Sequence, residues 1–184
     1  ISHPMSVMGI DLPIIFLRIG SLVKYFPKNN ARANIILMIV GFKYINNSAA
    51  WFGIPYAKPP INELRWRAPQ PIENSEEIIK ATSFSDICFQ NRSFVDYSEE
   101  KENYIGSEDC LYLNIHSPRN LSGNENLPVM VWIHGGGNTT GAGSAYDFSR
   151  LASEQKVIVI TINYRLGPFG WFYHPSLIET ANSK

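Results

Sequence analysis

The sequence predicts an α/β fold with a mostly parallel central sheet. Two unbroken apolar runs rich in β-branched residues, 129–133 and 157–162, are typical of strands buried on both faces of such a sheet. Between them lie a glycine-rich loop and, at 145–155, apolar residues at helical spacing. Strand, loop, helix and strand form a βαβ unit, in which ligands bind at the carboxyl ends of the strands.

The remaining elements follow from local pattern. Two β-prone runs within 35–52 flank an Asn-Asn-Ser turn at 46–48, which predicts an antiparallel hairpin. The proline-rich stretch 55–71 predicts an extended crossover, and the alternation at 111–115 predicts a half-buried strand. A short helix is expected near 14–23.

Composition excludes several classes of protein. The chain has 184 residues, 45% hydrophobic and 17% charged, as in an ordinary globular protein. Sixteen basic residues balance sixteen acidic ones, so no positive field favours nucleic acid or anionic lipid. The apolar runs 12–17 and 35–42 are shorter than the roughly 20 residues of a membrane span. No intact signal peptide is visible, although a chain that opens at Ile1 leaves the true N-terminus open.

The loop that directly follows the strand 129–133 is a candidate functional site. His134 precedes three glycines, Gly135, Gly136 and Gly137, whose backbone takes positive φ angles freely and leaves its amides unshielded. Acyl transfer needs such N–H donors because the carbonyl oxygen becomes an oxyanion. The pattern is similar to the HGGG-type oxyanion loop of lipases and esterases.

The same loop allows two other interpretations. A phosphate-binding loop is disfavoured because the sequence lacks both the Gly-Lys-Ser/Thr ending of a P-loop and the G-x-G-x-x-G spacing of a dinucleotide turn. A tight turn without function stays open on the tetrapeptide alone. Likewise Cys88 and Cys110, the only cysteines, are compatible with a disulfide or with two unrelated buried thiols, and no metal site is expected from them.

Four further motifs share one resemblance. In chain order they are Trp51-Phe52-Gly53-Ile54-Pro55-Tyr56-Ala57-Lys58-Pro59-Pro60, Leu64-Arg65-Trp66, Ser107-Glu108-Asp109-Cys110-Leu111-Tyr112-Leu113-Asn114 and Asn163-Tyr164-Arg165-Leu166-Gly167. Together with the glycine loop, they resemble the type-B carboxylesterases, the family that includes the cholinesterases. The resemblance covers about 35–177, and residues 1–33 show none of it. It implies an α/β-hydrolase fold and hydrolysis of small-molecule carboxylic esters without a cofactor.

The resemblance also implies roles for individual residues. Gly136 and Gly137 would supply oxyanion-hole amides, with His134 and Gly135 supporting the loop. Cys88 and Cys110 would form a disulfide, and Arg65 and Glu108 a structural salt bridge whose loss would cost about 3 to 5 kcal/mol if it were buried. Asn163 and Arg165 would brace the sheet edge through hydrogen bonds. The remaining histidines, His3, His116 and His174, are expected to be surface or hydrogen-bonded residues.

The family pattern is incomplete in this chain. No G-x-S-x-G nucleophile elbow occurs, so the serine, the acid and the base are all expected beyond residue 184. We therefore expect an unassigned extension at 1–34 and the truncated N-terminal portion of one hydrolase domain at 35–184. Such a chain should be inactive alone and prone to aggregate. The segment Asn138-Thr139-Thr140 stands where relatives often carry an aromatic residue.

Two functional matters stay open at this stage. Some relatives of the family lack the triad and serve in adhesion or binding, which is the alternative to an esterase. The implied disulfide favours a secreted or periplasmic protein, because disulfides are rare in the reducing cytosol.

Overall fold

The structure is a computed structural model that describes residues 14–18, 36–73, 78–92, 103–121, 126–175 and 177. The strands are β1 (Ile14–Arg18), β2 (Ile36–Val40), β3 (Phe42–Tyr44), β4 (Ser48–Pro55), β5 (Ile78–Lys80), β6 (Gln90–Asn91), β7 (Tyr104–Ile105), β8 (Tyr112–Pro118), β9 (Val129–Ile133) and β10 (Ile158–Ile162), and the helices are α1 (Ser149–Gln155) and α2 (Gly167–Trp171).

Among the described residues, the main sheet has five strands in the order β3-β4-β8-β10-β9. Its first two strands form the predicted hairpin, and the turn is closed by Asn46 and Asn47, both with positive φ near 55°. Asparagine tolerates this left-handed conformation, so the local sequence fixes the turn. Two smaller sheets accompany it, with the orders β1-β2-β5 and β6-β7.

The α/β architecture is confirmed, but the described part of the main sheet is mixed. Strand β8 is antiparallel to both β4 and β10, and β10 and β9 form the parallel pair of this sheet. The parallel pair is the βαβ unit predicted from the two β-branched runs. The antiparallel strands precede it in the chain and carry no crossover helix that would signal them in the sequence.

The crossover helix is shorter than the predicted 145–155. Gly143–Ala145 forms a single 3-10 turn, and α1 begins only at Ser149, whose amide hydrogen-bonds to the Asp147 carboxylate at 2.8 Å. The helix ends at Gln155, and the next residue, Lys156, caps it in a left-handed conformation. Ser149 and Ala152 face the sheet and are buried.

The core lies on strands β4, β8 and β10. Its buried members are Ile39, Ala49, Trp51, Ile54, Ala81, Leu113, Ile115 and Ile160. The predicted half-buried strand at 111–115 is instead buried along most of β8. Its apparent alternation comes from polar residues such as Asn114, which is buried and hydrogen-bonds to Thr161 Oγ1. Hydrogen-bonded polar side chains make a central strand look amphipathic in sequence.

Strand β9 is correctly placed, but its predicted burial on both faces is wrong in this chain. Val129–Ile133 pairs with β10 alone among the described strands, and its five side chains are 40% to 65% exposed. A β-branched run indicates that a strand is suited to burial. It does not indicate whether other elements of the chain cover that strand.

The predicted helix near 14–23 is also wrong where the structure describes it. Ile14–Arg18 is strand β1, paired antiparallel with Ile36–Val40, and 19–23 lie outside the described residues. Apolar β-branched residues follow the available strand partner rather than local spacing. The crossover at 55–71 forms no α-helix, as predicted, but its middle is not extended: a 3-10 turn at Asn62–Leu64 continues as turn and bend through 65–67. Among the described residues, neither helix has the length or the apolar character to cross a bilayer.

Candidate active site

The glycine loop leaves the carboxyl end of β9 and turns sharply. Gly136 has φ +110°, Gly137 +61° and Asn138 +61°, so three successive residues lie at positive φ. Only glycine adopts the first of these without strain. The far end of the loop is tied to the start of α2, where the Gly167 amide donates to the Asn138 carbonyl at 2.7 Å.

One carbonyl organises the loop. The Gly136 oxygen accepts bonds from the Thr139 and Thr140 amides, at 3.0 and 3.1 Å, and from Thr139 Oγ1 at 3.0 Å. The peptide unit is planar and trans, so the Gly137 N–H points opposite to this carbonyl, away from the 139–140 turn. Within the described part of the chain, the amides of Gly136 and Gly137 donate to no other group. Both are therefore free to bind a ligand.

The three glycines differ in what surrounds them. A Cβ on Gly136 would overlap the Thr140 carbonyl oxygen, whereas one on Gly135 or Gly137 would meet no heavy atom within 4 Å. Gly136 is thus required by the fold of the loop, and Gly137 opens onto free space.

His134 supports the loop from below. Its side chain is buried, and its ring stacks on Tyr164 with centroids 4.4 Å apart. Its Nδ1 lies 2.8 Å from the Gly135 oxygen, and its own carbonyl accepts a bond from the Tyr164 hydroxyl at 2.7 Å. Its Nε2 is buried without a partner among the described residues. These contacts are those of a packed supporting residue.

Gln90 holds the other limb of the loop through a contact that was not predicted. Its Oε1 accepts from the Gly141 amide at 2.7 Å, and its Nε2 donates to the Gly141 carbonyl at 2.9 Å and to the Cys88 carbonyl at 2.8 Å. The two residues are 51 positions apart. In the sequence, Gln90 is marked only by its position two residues after Cys88.

The two cysteines form the disulfide that the resemblance implies. Cys88 and Cys110 are bonded with their Cα atoms 4.9 Å apart, and both are buried. Leu111 and Leu166 pack around them in a small apolar cluster. The bridge joins the β6 segment to the entry of β8, and so links the surroundings of Gln90 to the centre of the sheet.

Arg65 and Glu108 form a two-bonded ion pair. Arg65 Nε lies 2.5 Å from Oε2 and Nη2 lies 2.6 Å from Oε1, which raises the pKa of Arg65 through the hydrogen bond to Glu108. The two side chains keep 37% and 22% of their exposure. The condition of full burial is therefore not met, and the several-kcal/mol penalty expected for a buried pair does not apply.

Asn163 and Arg165 behave differently, although both were expected to brace the sheet. The Asn163 side chain accepts from the Gly143 amide at 2.8 Å and donates to the Asp86 carbonyl at 3.3 Å. Arg165 Nη1 is buried with no hydrogen-bond partner among the described residues, and burial lowers the pKa of its guanidinium. Bracing by hydrogen bonds therefore holds for Asn163 and is wrong for that nitrogen of Arg165.

Of the histidines outside the loop, His174 agrees with the expectation of a surface residue and His116 does not. His174 is exposed and His3 lies outside the described residues. His116 is only 1% exposed, and neither ring nitrogen has a hydrogen-bond partner within the described residues. Its ring contacts those of Tyr44 and Phe52, and burial lowers its pKa while Asp147 opposes this. The described residues contain no group of acidic, histidine or cysteine side chains suited to a metal ion.

Comparison with known proteins identifies the family. The model of the carboxylesterase family matches residues 38–178. This chain belongs to the carboxylesterase family. The match covers most of the chain and contains the glycine loop, both cysteines and the Arg65–Glu108 pair.

Individual carboxylesterases support this assignment. The chain is 49% identical to the para-nitrobenzyl esterase of Bacillus subtilis over 140 residues, 75% of this chain and 28% of that protein. It is 38% identical to carboxylesterase 1D of Mus musculus over 179 residues, 90% of this chain and 32% of that protein.

Solved structures show the same fold. A PNB esterase aligns with a TM-score of 0.68 at 46% identity, covering 77% of this chain and 29% of that one. A carboxylesterase of Geobacillus stearothermophilus aligns with a TM-score of 0.61 at 37% identity, covering 73% and 26%. The chain thus has an α/β-hydrolase fold and spans less than a third of the length of the carboxylesterases it resembles.

Proposed function

We propose that this chain supplies the oxyanion hole of an enzyme that hydrolyses small-molecule carboxylic esters through a serine acyl-enzyme. The family membership supports ester hydrolysis. The observation that carries the finer claim is the pair of amides at Gly136 and Gly137, which bind no group within the described residues and lie at the carboxyl end of a parallel strand. Ligands of open α/β sheets bind at this end.

The chemistry follows from the direction of the amides. When a serine oxygen attacks the ester carbonyl, negative charge gathers on the carbonyl oxygen, and fixed N–H donors stabilise it more than the ground state. Each such donor lowers the barrier by about 3 to 4 kcal/mol. The loop is held in place before substrate arrives, because Thr139 and Thr140 already bind the Gly136 carbonyl. A third donor is expected from the residue after the nucleophile.

The serine, the acid and the base are proposed to lie in sequence beyond residue 184, with 35–184 forming the first part of one hydrolase domain. Reading the encoding DNA downstream of Lys184 tests this directly. A serine within a G-x-S-x-G elbow supports the proposal. A different residue at the elbow would contradict the proposal of a serine acyl-enzyme and would favour the non-catalytic binding alternative.

Activity measurements then test the role of the loop. The 184-residue chain should not hydrolyse a p-nitrophenyl ester above the buffer blank, whereas the longer protein should. In the longer protein, Gly136→Ala should lower kcat by about 100- to 1000-fold, because the loop must shift and misdirect its donors. Gly135→Ala is the matched control, since its Cβ meets open space. Equal rates for the two variants, or phosphonate-sensitive turnover by the short chain, would contradict the proposal.

The disulfide supports export to an oxidising compartment, secreted or periplasmic. Alkylation of the isolated protein without prior reduction checks this. Modified Cys88 or Cys110 would count against export.

A further inference from the structure

Gln90 uses its whole side-chain amide to hold one residue of the glycine loop. Its oxygen and its nitrogen bind the N–H and the C=O of Gly141, so the side chain pairs with that residue as a neighbouring strand would. Gln90 itself is 3% exposed. Both the position and the orientation of Gly141 are held by these two bonds, which start from a buried side chain.

Gly141 in turn controls the loop on two sides. A Cβ at this position would overlap the His134 ring, so the Gly141 backbone lies directly against the residue that supports the loop. Gly141 also follows Thr140, whose amide binds the Gly136 carbonyl. Moving Gly141 would therefore disturb both the support and the bond that sets the direction of the Gly137 N–H.

The anchor of Gln90 is rigid. Its Nε2 also binds the carbonyl of Cys88, whose side chain is bonded to Cys110 at the start of β8. Strand β6, which begins at Gln90, pairs with β7. The side chain is thus held from a covalently fixed base rather than from a free loop.

We propose that Gln90 is a positioning residue for the oxyanion hole, which it holds in place through Gly141. This inference rests on the proposed ester hydrolysis. Gln90 touches no reacting atom in this arrangement. It acts by keeping Thr140 bonded to Gly136, so that the Gly137 amide faces the substrate.

The test is the isosteric variant Gln90→Glu in the longer protein that contains this chain. An ionised carboxylate still accepts from the Gly141 amide but repels the carbonyls of Gly141 and Cys88, whereas a protonated one can again donate. We expect kcat at mildly alkaline pH to fall by roughly 10- to 100-fold relative to the parent enzyme, with a much smaller change in KM. The ratio of variant to parent kcat should recover as the pH is lowered.

Two further variants isolate the effect. Gln70→Glu makes the same charge change at an exposed glutamine whose side-chain amide donates to the Ala68 carbonyl, far in sequence from the glycine loop, so the kcat ratio should stay near unity. Gln90→Met removes every hydrogen bond at similar length, and its loss of kcat should not recover at low pH. A Gln90→Glu enzyme with parental kcat at every pH, or a loss that Gln70→Glu shares, would overturn the proposal.

A second measurement separates this inference from the proposed function. Amide hydrogen exchange in the peptide that contains 135–141 should be faster in Gln90→Glu than in the parent at the same pH, whether or not the protein hydrolyses esters. Inactive parent protein with this faster exchange refutes the esterase and retains the hold of Gln90 on the loop. Unchanged exchange refutes the hold itself. If Gln90→Glu does not fold, Gln90→Met gives the same comparison. An exchange rate in Gln90→Met equal to that of the parent also refutes the hold of Gln90 on the loop.

Discussion

At the scale of single residues, His116 makes stability depend on pH. Burial lowers its pKa below the ordinary value of 6.5, although Asp147, 4.0 Å from Nδ1, opposes this, and its ring nitrogens have no hydrogen-bond partner among the described residues. Above pH 6.5 both the folded and the unfolded chain keep this imidazole neutral. Below it the unfolded chain binds a proton that the folded chain resists, so the free energy of unfolding falls on acidification.

The prediction is that His116→Phe flattens this dependence. A phenyl ring suits the aromatic surroundings of Tyr44 and Phe52 and cannot titrate. Between about pH 7 and pH 5, the parent should lose up to about 1.4 kcal/mol per pH unit more than the variant. Urea unfolding at several pH values measures both slopes. Parallel slopes would show that His116 is protonated in the folded chain as readily as in the unfolded one.

Residues also show where sequence reasoning stops. The glycines of the loop were found because three in a row have a local meaning, and the cysteines because there are only two. Gln90 and His116 were not assigned these roles, since their surroundings come from segments far away in the chain. Arg65 and Glu108 were paired by resemblance, but their partial exposure could come only from the structure.

At the scale of elements, the disulfide is the strongest single link between the β6 segment and β8. It closes a separation of 22 residues, and reducing it should lower the free energy of unfolding by roughly 3 kcal/mol. Urea unfolding with and without a phosphine reductant measures this loss. The double variant Cys88→Ala, Cys110→Ala is the control and should show the same midpoint in both conditions. A reductant-insensitive parent whose thiols are demonstrably free would refute the estimate.

Elements with local signals were predicted well, and those that depend on distant partners were not. The hairpin of β3 and β4 follows from its asparagine turn, and β10 from its β-branched run. Strand β1 was mistaken for a helix because its partner β2 lies beyond an intervening segment. The predicted helix 145–155 is longer than α1, because a 3-10 turn and an α-helix have similar residue spacing over one turn.

At the scale of the whole molecule, β9 is an open, apolar edge. Its side chains are 40% to 65% exposed, and its outer backbone groups face no strand in the described part of the chain. Such edges pair with other chains. We therefore expect the 184-residue chain to self-associate, as measured by light scattering after size-exclusion chromatography.

A charge on this edge should suppress the association. Val131→Lys places an ammonium group at the middle of β9 and should reduce the oligomeric fraction several-fold. Ile45→Lys makes a comparable change at a side chain of similar exposure in the hairpin turn, and should have little effect. Equal reduction by both variants would point to net charge rather than to the edge.

The strand order of the main sheet also affects how the chain folds during its synthesis. Strand β9 precedes β10 in the sequence, yet it joins the sheet only by pairing with β10. Residues 129–133 therefore leave the ribosome before their partner at 158–162 does. While β3 and β4 pair as soon as both emerge, the nascent β9 stays apolar and without β10 until α1 and β10 have also emerged.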